Sequence, residues 1–248
     1  MMIIMAGIVH AGGRQTAGLI KDGVLKIGIE HHETAGKKPA EFFMRLGREI
    51  AGKLKLDPEF TEAAAGGIFA GLESGRYDCI ISAAEMTPER IAAYSFSKPF
   101  LANSMVIILL KDSPYRINNP DGLAGFGVSY LAGSSAKRFL TGLAANGLRY
   151  TPYEYDKIAH CFDELKLGRT DAIVTDFISA ADYLAAADSP FRVAWQGEAG
   201  YMIGICMKKG NESLTAAVNR ALDELYNGKI LSNLSMEAFG TDLAGAAR

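Results

Sequence analysis

The sequence predicts an α/β fold built as two lobes. Strand-like and helical segments alternate through most of the chain, which is typical of mainly parallel sheets with helices on their faces. With 248 residues and 49% apolar composition, the chain is in the size range where one core commonly divides into two. A Pro- and Asn-rich stretch at 112–121 interrupts the alternation and indicates a passage between lobes.

The first lobe is predicted from apolar runs separated by helical patterns. Residues 24–29 (VLKIGI), 79–82 (CIIS) and 105–110 (MVIILL) have the composition of buried strands. Helical spacing of apolar residues occurs at 42–54 and 68–72, and a helix start occurs at 88.

The second lobe repeats this plan on a smaller scale. Strands are predicted at 127–131 and 172–175, with helices at 135–145 and 177–187. From 193 onward the chain has strand character again, and helical patterns at 213–225 and 231–239 end it. We therefore predict a first lobe of residues 1–109 and 196–248 and a second lobe of residues 110–195, joined by two crossing segments that act as a hinge.

Composition narrows the function classes. The formal net charge is −2, and the 26 basic residues are scattered, which argues against a nucleic-acid partner. The sequence contains no G-x-S-x-G, no complete phosphate-binding G-x-x-x-x-G-K-[ST] and no G-x-G-x-x-G, so it predicts no catalytic residue and no cofactor. Cys79 and Cys206 lie in strand-like runs and Cys161 in a helical pattern, so we expect three buried single thiols.

The first nine residues are apolar and run into Val9-His10-Ala11, a small-residue pattern that a signal peptidase accepts, yet no Lys or Arg precedes them. Two interpretations stay open: the end of a secretion signal, or an N-terminal arm. The first predicts a periplasmic or otherwise extracytoplasmic protein.

A candidate anion site follows the strand at 79–82. Thr87 suits a helix N-cap and Pro88 the first helical position, which puts Arg90 in the first turn. Open α/β sheets bind ligands beyond the carboxyl ends of their strands, and a guanidinium there can hold a carboxylate. The alternative is a surface arginine paired with Glu89 or Glu85.

Three further polar residues occupy comparable strand-to-helix turns. Ser134 and Ser135 begin a helix after a strand and could accept an anion with the free backbone amides. Asp176 ends the strand at 172–175 and could accept an ammonium group. For all three, the alternative is a purely structural helix cap.

His31-His32-Glu33 is the nearest approach to a metal motif. Adjacent residues of an extended chain point in opposite directions, and no second cluster supplies further ligands. The sequence therefore predicts no metal site.

Several motifs in order resemble family 3 of the bacterial extracellular solute-binding proteins. The resemblance extends from about residue 15 to 242. The matching segments are 20–28 (IKDGVLKIG), 72–78 (LESGRYD), 87–90 (TPER), 96–100 (FSKPF), 123–125 (LAG) with 133–135 (GSS), 168–172 (GRTDA) with Asp176, and 201–210 (YMIGICMKKG).

The resemblance implies a type 2 periplasmic-binding-protein fold that closes on an amino-acid-like ligand. By analogy, Arg90 holds the ligand's α-carboxylate, assisted by Ser134 and Ser135, and Asp176 holds the α-ammonium. Glu30 corresponds to the acidic residue that follows the family's first strand. The implied partner is the membrane permease of an ABC importer, and the implied state is a monomer.

Two departures from the family pattern concern the pocket. Glu33 stands where an aromatic residue is usual, and Glu85 where a small polar residue is usual. Glu30, Glu33 and Glu85 would make one wall acidic, which predicts a ligand with positive charge beyond its α-ammonium, such as arginine, lysine or a polyamine-like compound. The competing account is that Glu85 pairs with Arg90.

Two other functions share this fold and stay open as alternatives. One is a ligand-sensing receptor module that does not take part in transport. The other is a dehydratase of cyclic carboxylic acids, in which Glu85 near Arg90 serves as general acid.

Overall fold

The computed structural model describes residues 18–30 and 38–248, and it confirms the α/β fold. The strands, in chain order, are β1 (Val24–Glu30), β2 (Asp57–Ala63), β3 (Cys79–Ile80), β4 (Ser95–Asn103), β5 (Met105–Leu110), β6 (Gly127–Leu131), β7 (Thr151–Tyr155), β8 (Ala172–Asp176), β9 (Phe191–Gln196) and β10 (Tyr201–Met207). The α-helices are α1 (Lys38–Leu54), α2 (Ile68–Glu73), α3 (Pro88–Ala93), α4 (Ser135–Ala145), α5 (Ile158–Lys166), α6 (Phe177–Ala185), α7 (Glu212–Asn227) and α8 (Ile230–Phe239).

The strands form two five-stranded mixed sheets. The first sheet has the order β2-β1-β3-β10-β4, and the second has the order β7-β6-β8-β5-β9. In the first, β1 runs parallel to β2 and β3, while β10 is antiparallel to β3 and β4. In the second, β6 runs parallel to β7 and β8, while β5 is antiparallel to β8 and β9.

The sheets differ from the predicted division at one strand. The sequence predicts that the apolar run of β5 belongs to the first lobe, but β5 pairs with β8 and β9 inside the second sheet. The chain therefore leaves the first sheet at Asn103 and enters the second at Met105, and the Pro-rich stretch belongs to the second lobe, where Ile117 is buried in its core. Both sheets have fully buried strands, so a continuous apolar run could not show which sheet it joins.

Helix α1 illustrates how the first core forms. Its residues Phe42, Phe43, Leu46 and Ile50 recur at helical spacing and are buried against the first sheet, together with parts of α7 and α8. The second sheet has a separate apolar cluster on each face. Each sheet thus has its own core, as two lobes require.

A buried tyrosine ties α2 to the first sheet. The hydroxyl of Tyr77 donates to the carbonyl of Ile68, and its ring packs directly on Gly28 and Gly71. A Cβ atom at Gly71 would lie 2.2 Å from the tyrosine oxygen, so only glycine allows this approach.

The three cysteines are buried and unbonded, as predicted. No helix in the described part of the chain is long and apolar enough to cross a membrane. The candidate leader at the N-terminus, and His31-His32-Glu33, lie outside the described residues.

Candidate ligand-binding site

The turn between β3 and α3 positions Arg90 as the sequence predicted. Thr87 is the N-cap of α3, its hydroxyl accepts a hydrogen bond from the Arg90 amide at 3.3 Å, and Pro88 occupies the first helical turn. Because the cap fixes where the helix begins, it also fixes where Arg90 leaves the backbone.

The guanidinium of Arg90 is held by two neighbours. Its Nη1 donates to the carbonyl oxygen of Glu85 at 3.1 Å, and its Cζ lies 4.7 Å from the centre of the Phe69 ring. Among residues 18–30 and 38–248, no carboxylate forms an ion pair with it. The structure therefore does not show the alternative, in which Arg90 pairs with the carboxylate of Glu89 or of Glu85. A guanidinium carries five N–H donors, so several stay available for an anion.

Asp176 ends β8 and caps α6. Its Oδ1 accepts from the Ser179 amide at 3.0 Å and from Nδ2 of Asn103 at 2.7 Å, and its Oδ2 accepts from the Ser179 hydroxyl at 2.6 Å. Asp176 is thus a helix cap, as the structural alternative predicts, and this role does not use all of its acceptor positions. An ionised carboxylate has roughly four acceptor positions, so capping leaves capacity for one ammonium donor.

Asn103 links Asp176 to the crossing between the sheets. It is buried, and its Oδ1 accepts from the amides of Ser104 at 3.0 Å and Ile178 at 3.3 Å. The Ser104 hydroxyl in turn accepts from Nε2 of Gln196 at 2.8 Å. These bonds connect the outgoing crossing, which lies earlier in the chain than predicted, with the returning one, so the site is built on the two crossings between the sheets.

Sequence reasoning missed the partner of Glu85. Oε2 of Glu85 accepts from Nη2 of Arg138 at 2.5 Å, and the two side chains are 20% and 54% exposed. Glu85 follows β3 and forms a β-bridge with Ile203 of the first sheet, whereas Arg138 lies in α4, which packs on the second sheet. This ion pair therefore spans the space between the sheets.

Tyr201 is a second missed residue. It begins β10 opposite Asn103 and is partly buried. Burial raises the pKa of its phenol, the negative charges of Glu85 and Asp176 add to the rise, and Arg138 opposes it. Tyr201 therefore supplies a neutral hydroxyl close to all three charges.

The two serines lie at the start of α4. The hydroxyl of Ser134 donates to the Leu131 carbonyl at 2.6 Å and accepts from the Lys137 amide at 3.4 Å, so it is the N-cap. Ser135 is the first helical residue. The carbonyl of Ser134 accepts from the Arg138 amide at 3.4 Å, and the hydroxyl of Ser134 is already used within its own turn.

The remaining acidic candidates are Glu30 and Glu33. Glu30 ends β1, the strand beside β3, and has an interaction of its own. Glu33 lies outside the described residues, so a wall of three carboxylates stays a prediction. Over the described ranges there is no group of three His, Cys, Asp or Glu side chains that could hold a metal ion.

Two lobes, each with its own sheet, and a charged site at their crossing define a two-lobed solute-binding protein. The chain belongs to the bacterial extracellular solute-binding proteins, family 3, whose model matches residues 30–241.

Three relatives illustrate the similarity. The L-cystine-binding protein TcyJ of Escherichia coli (strain K12) is 27% identical over 89% of this chain and 84% of its own length. The L-arginine-binding protein of Pseudomonas aeruginosa is 26% identical over 91% of both chains. The structure of an ancestral arginine-binding protein bound to arginine matches with a TM-score of 0.75 and 28% identity over 88% of this chain and 99% of that one.

Proposed function

We propose that this protein captures a free amino acid between its lobes outside the cytoplasm and, as a monomer, delivers it to the permease of an ABC importer. The observation that carries the proposal is the Arg90 guanidinium, which is oriented by Glu85 and Phe69 without a carboxylate partner in the described chain. The names of the relatives, which bind cystine or arginine, support an amino-acid ligand.

In this proposal the α-carboxylate binds Arg90 and the α-ammonium binds Asp176. The two residues are carried by different sheets, Arg90 after β3 and Asp176 at the end of β8. A ligand that contacts both gains its full binding energy only in the closed form, so it shifts the population toward closure.

The Glu85–Arg138 pair supports binding rather than dehydration. Oε2 of Glu85 already accepts a hydrogen bond from the Arg138 guanidinium, and this contact would have to break before Glu85 could serve as the general acid that the dehydratase alternative requires. The same pair weakens the reason for expecting a cationic ligand, because Arg138 supplies the positive charge that an acidic wall needs. The arginine-binding relatives still support a cationic ligand.

The test is a thermal-shift screen of L-amino acids followed by titration calorimetry. A ligand at about a thousand times its Kd adds roughly 4 kcal/mol of stability, which at this size raises Tm by about 10 °C. Arg90→Ala should weaken the best ligand at least about tenfold, since a hydrogen bond to a charged group contributes roughly 1.5–3 kcal/mol.

Arg169→Ala is the matched control, because Arg169 is an exposed arginine already paired with Glu164, and it should leave affinity unchanged. Small-angle scattering adds a second readout: the ligand should reduce the radius of gyration of the parent but not of Asp176→Ala. Parental affinity in Arg90→Ala would refute the assignment of the carboxylate site.

A further inference from the structure

We propose that Glu85 and Arg138 act together as the selectivity element of the cleft, favouring ligand side chains with no net charge over side chains that carry a single charge of either sign. This inference rests on the proposed amino-acid binding and adds the class of side chain. It is carried by the geometry of one ion pair whose members come from opposite sides of the cleft.

Glu85 is fixed next to the carboxylate anchor. Its backbone bridges Ile203, the following amide of Met86 donates to the Met202 carbonyl at 2.8 Å, and its own carbonyl accepts from Arg90. A ligand held by Arg90 therefore has the Glu85 carboxylate within reach of its side chain. The side chain of Glu85 is 20% exposed, so its charge is only partly screened by water.

Arg138 is positioned from the other side. It lies one turn after the Ser134 cap of α4, and its neighbour Phe139 stacks on Trp195 with ring centres 6.0 Å apart. Among the described residues, the Glu85 carboxylate is the acidic group within ion-pair distance of the Arg138 guanidinium, and the exposed Glu89 carboxylate adds a weaker Coulombic attraction. Half of the side chain is exposed, which places Arg138 at the edge of the cleft rather than inside a core.

The pair makes this part of the cleft neutral overall. A cationic ligand side chain that approaches Glu85 meets the like charge of Arg138 at nearly the same distance, and an anionic one that approaches Arg138 meets Glu85. Attraction and repulsion then largely cancel, so a charged side chain gains nothing at the pair to offset its loss of hydration, whereas an uncharged side chain loses less on leaving water. Removing one member leaves the other charge uncompensated, and it attracts a ligand charge of opposite sign.

The size of the effect follows from exposure. An ion pair at a partly exposed site contributes up to about 1 kcal/mol, which is about a fivefold change in affinity. Each neutralising substitution should therefore change the ratio of affinities for charged and uncharged ligands by about fivefold.

The experiment measures Kd by calorimetry for L-arginine, L-glutamate and two ligands without net side-chain charge, L-glutamine and L-cystine. The result is expressed as the affinity of each charged ligand relative to the tighter of the two uncharged ones. Arg138→Gln should raise the arginine ratio about fivefold, and Glu85→Gln should raise the glutamate ratio by a similar factor. The charge exchange Glu85→Arg with Arg138→Glu should restore both ratios toward the parent.

Lys137→Gln is the matched control. It removes one positive charge from the adjacent position of α4, but Lys137 pairs with Glu154 at 2.7 Å and not with Glu85. Its ratios should equal those of the parent. Comparing ratios also removes any effect on closure itself, because a pair that only held the lobes together would weaken every ligand by the same factor.

The outcomes separate the two proposals. Binding with ratios that do not respond to Arg138→Gln or Glu85→Gln overturns the selectivity role and leaves amino-acid capture standing. A parent that prefers arginine or glutamate over both uncharged ligands also overturns it. No binding of any of the four ligands to the parent or any variant overturns amino-acid capture, and the selectivity role with it.

Discussion

Asn103→Asp is a nearly isosteric change that reverses one hydrogen bond at the hinge. In the parent, Nδ2 of Asn103 donates to Oδ1 of Asp176 at 2.7 Å. The introduced carboxyl puts an acceptor where that donor was, at a position only 3% exposed, beside the carboxylate of Asp176. The accepting contacts to the amides of Ser104 and Ile178 are kept.

The magnitude follows from the bond that is lost. A hydrogen bond to a charged group contributes roughly 1.5–3 kcal/mol, and leaving a buried charged acceptor beside a second negative charge adds to the loss. We expect a decrease of about 3 kcal/mol in the free energy of unfolding at pH 8, which lowers Tm by roughly 6–12 °C at this chain length.

The loss should depend on pH in a defined direction. Burial and the neighbouring carboxylate make the introduced carboxyl hold its proton to higher pH in the folded than in the unfolded chain. A carboxyl with a pKa raised by folding costs stability at high pH, and the cost disappears as the pH falls and the group becomes protonated. Its O–H can then donate to Asp176 as the amide did.

Urea denaturation of parent and variant at pH 5 and pH 8 measures this. The difference in free energy of unfolding should be small at pH 5 and about 3 kcal/mol at pH 8. Asn118→Asp, the same chemical change in an exposed loop, should show almost no difference at either pH. An equal loss at both values, or no loss at pH 8, would refute the reasoning.

Two further predictions concern Arg90 and the core. Phe69→Leu removes the ring beneath the Arg90 guanidinium. Because a cation–π contact contributes about 0.5–1 kcal/mol, the substitution should weaken ligand binding, measured by calorimetry, about two- to fivefold. Unchanged affinity would show that the Glu85 carbonyl alone orients the arginine. Gly71→Ala places a Cβ 2.2 Å from the Tyr77 oxygen and should lower the free energy of unfolding, measured in urea, by about 1–3 kcal/mol. The control is Gly52→Ala in α1, where no atom lies within 4 Å of the added Cβ, and it should raise the free energy of unfolding by up to about 1 kcal/mol. Equal effects of the two substitutions would contradict the close packing at Gly71.

Elements with a buried apolar run were predictable from sequence, and the edge strands were not, except β9, where the chain has strand character from residue 193. Strands β1, β3 and β5 lie inside their sheets and have mostly buried residues. Strands β2 and β7 lie at edges and are largely exposed, so their sequences DPEFTEA and TPYEY lack an apolar pattern. The edge strand β4 contains Pro99, a residue that argues against a strand but is tolerated at an edge.

The same distinction holds for the site. Arg90 and Asp176 could be proposed because a strand, a cap and a helix start are local patterns that fix where a side chain emerges. Arg138 could not, because its contact with Glu85 joins residues 53 positions apart, and only the packing of α4 decides which residue it meets. From the sequence spacing, Arg138 is only a basic residue one helical turn after the Ser134 cap.

The order of strands in the two sheets affects how the chain can fold during synthesis. All five strands of the second sheet lie within residues 105–196, without interruption. The first sheet needs β10, which inserts between β3 and β4 and is made after every strand of the second sheet. On the ribosome the five strands of the second sheet can therefore pair while the first sheet is still open, although Ile178 and Ala181 of α6 are covered only when the first core forms. The sheet that begins earlier in the sequence is thus completed later.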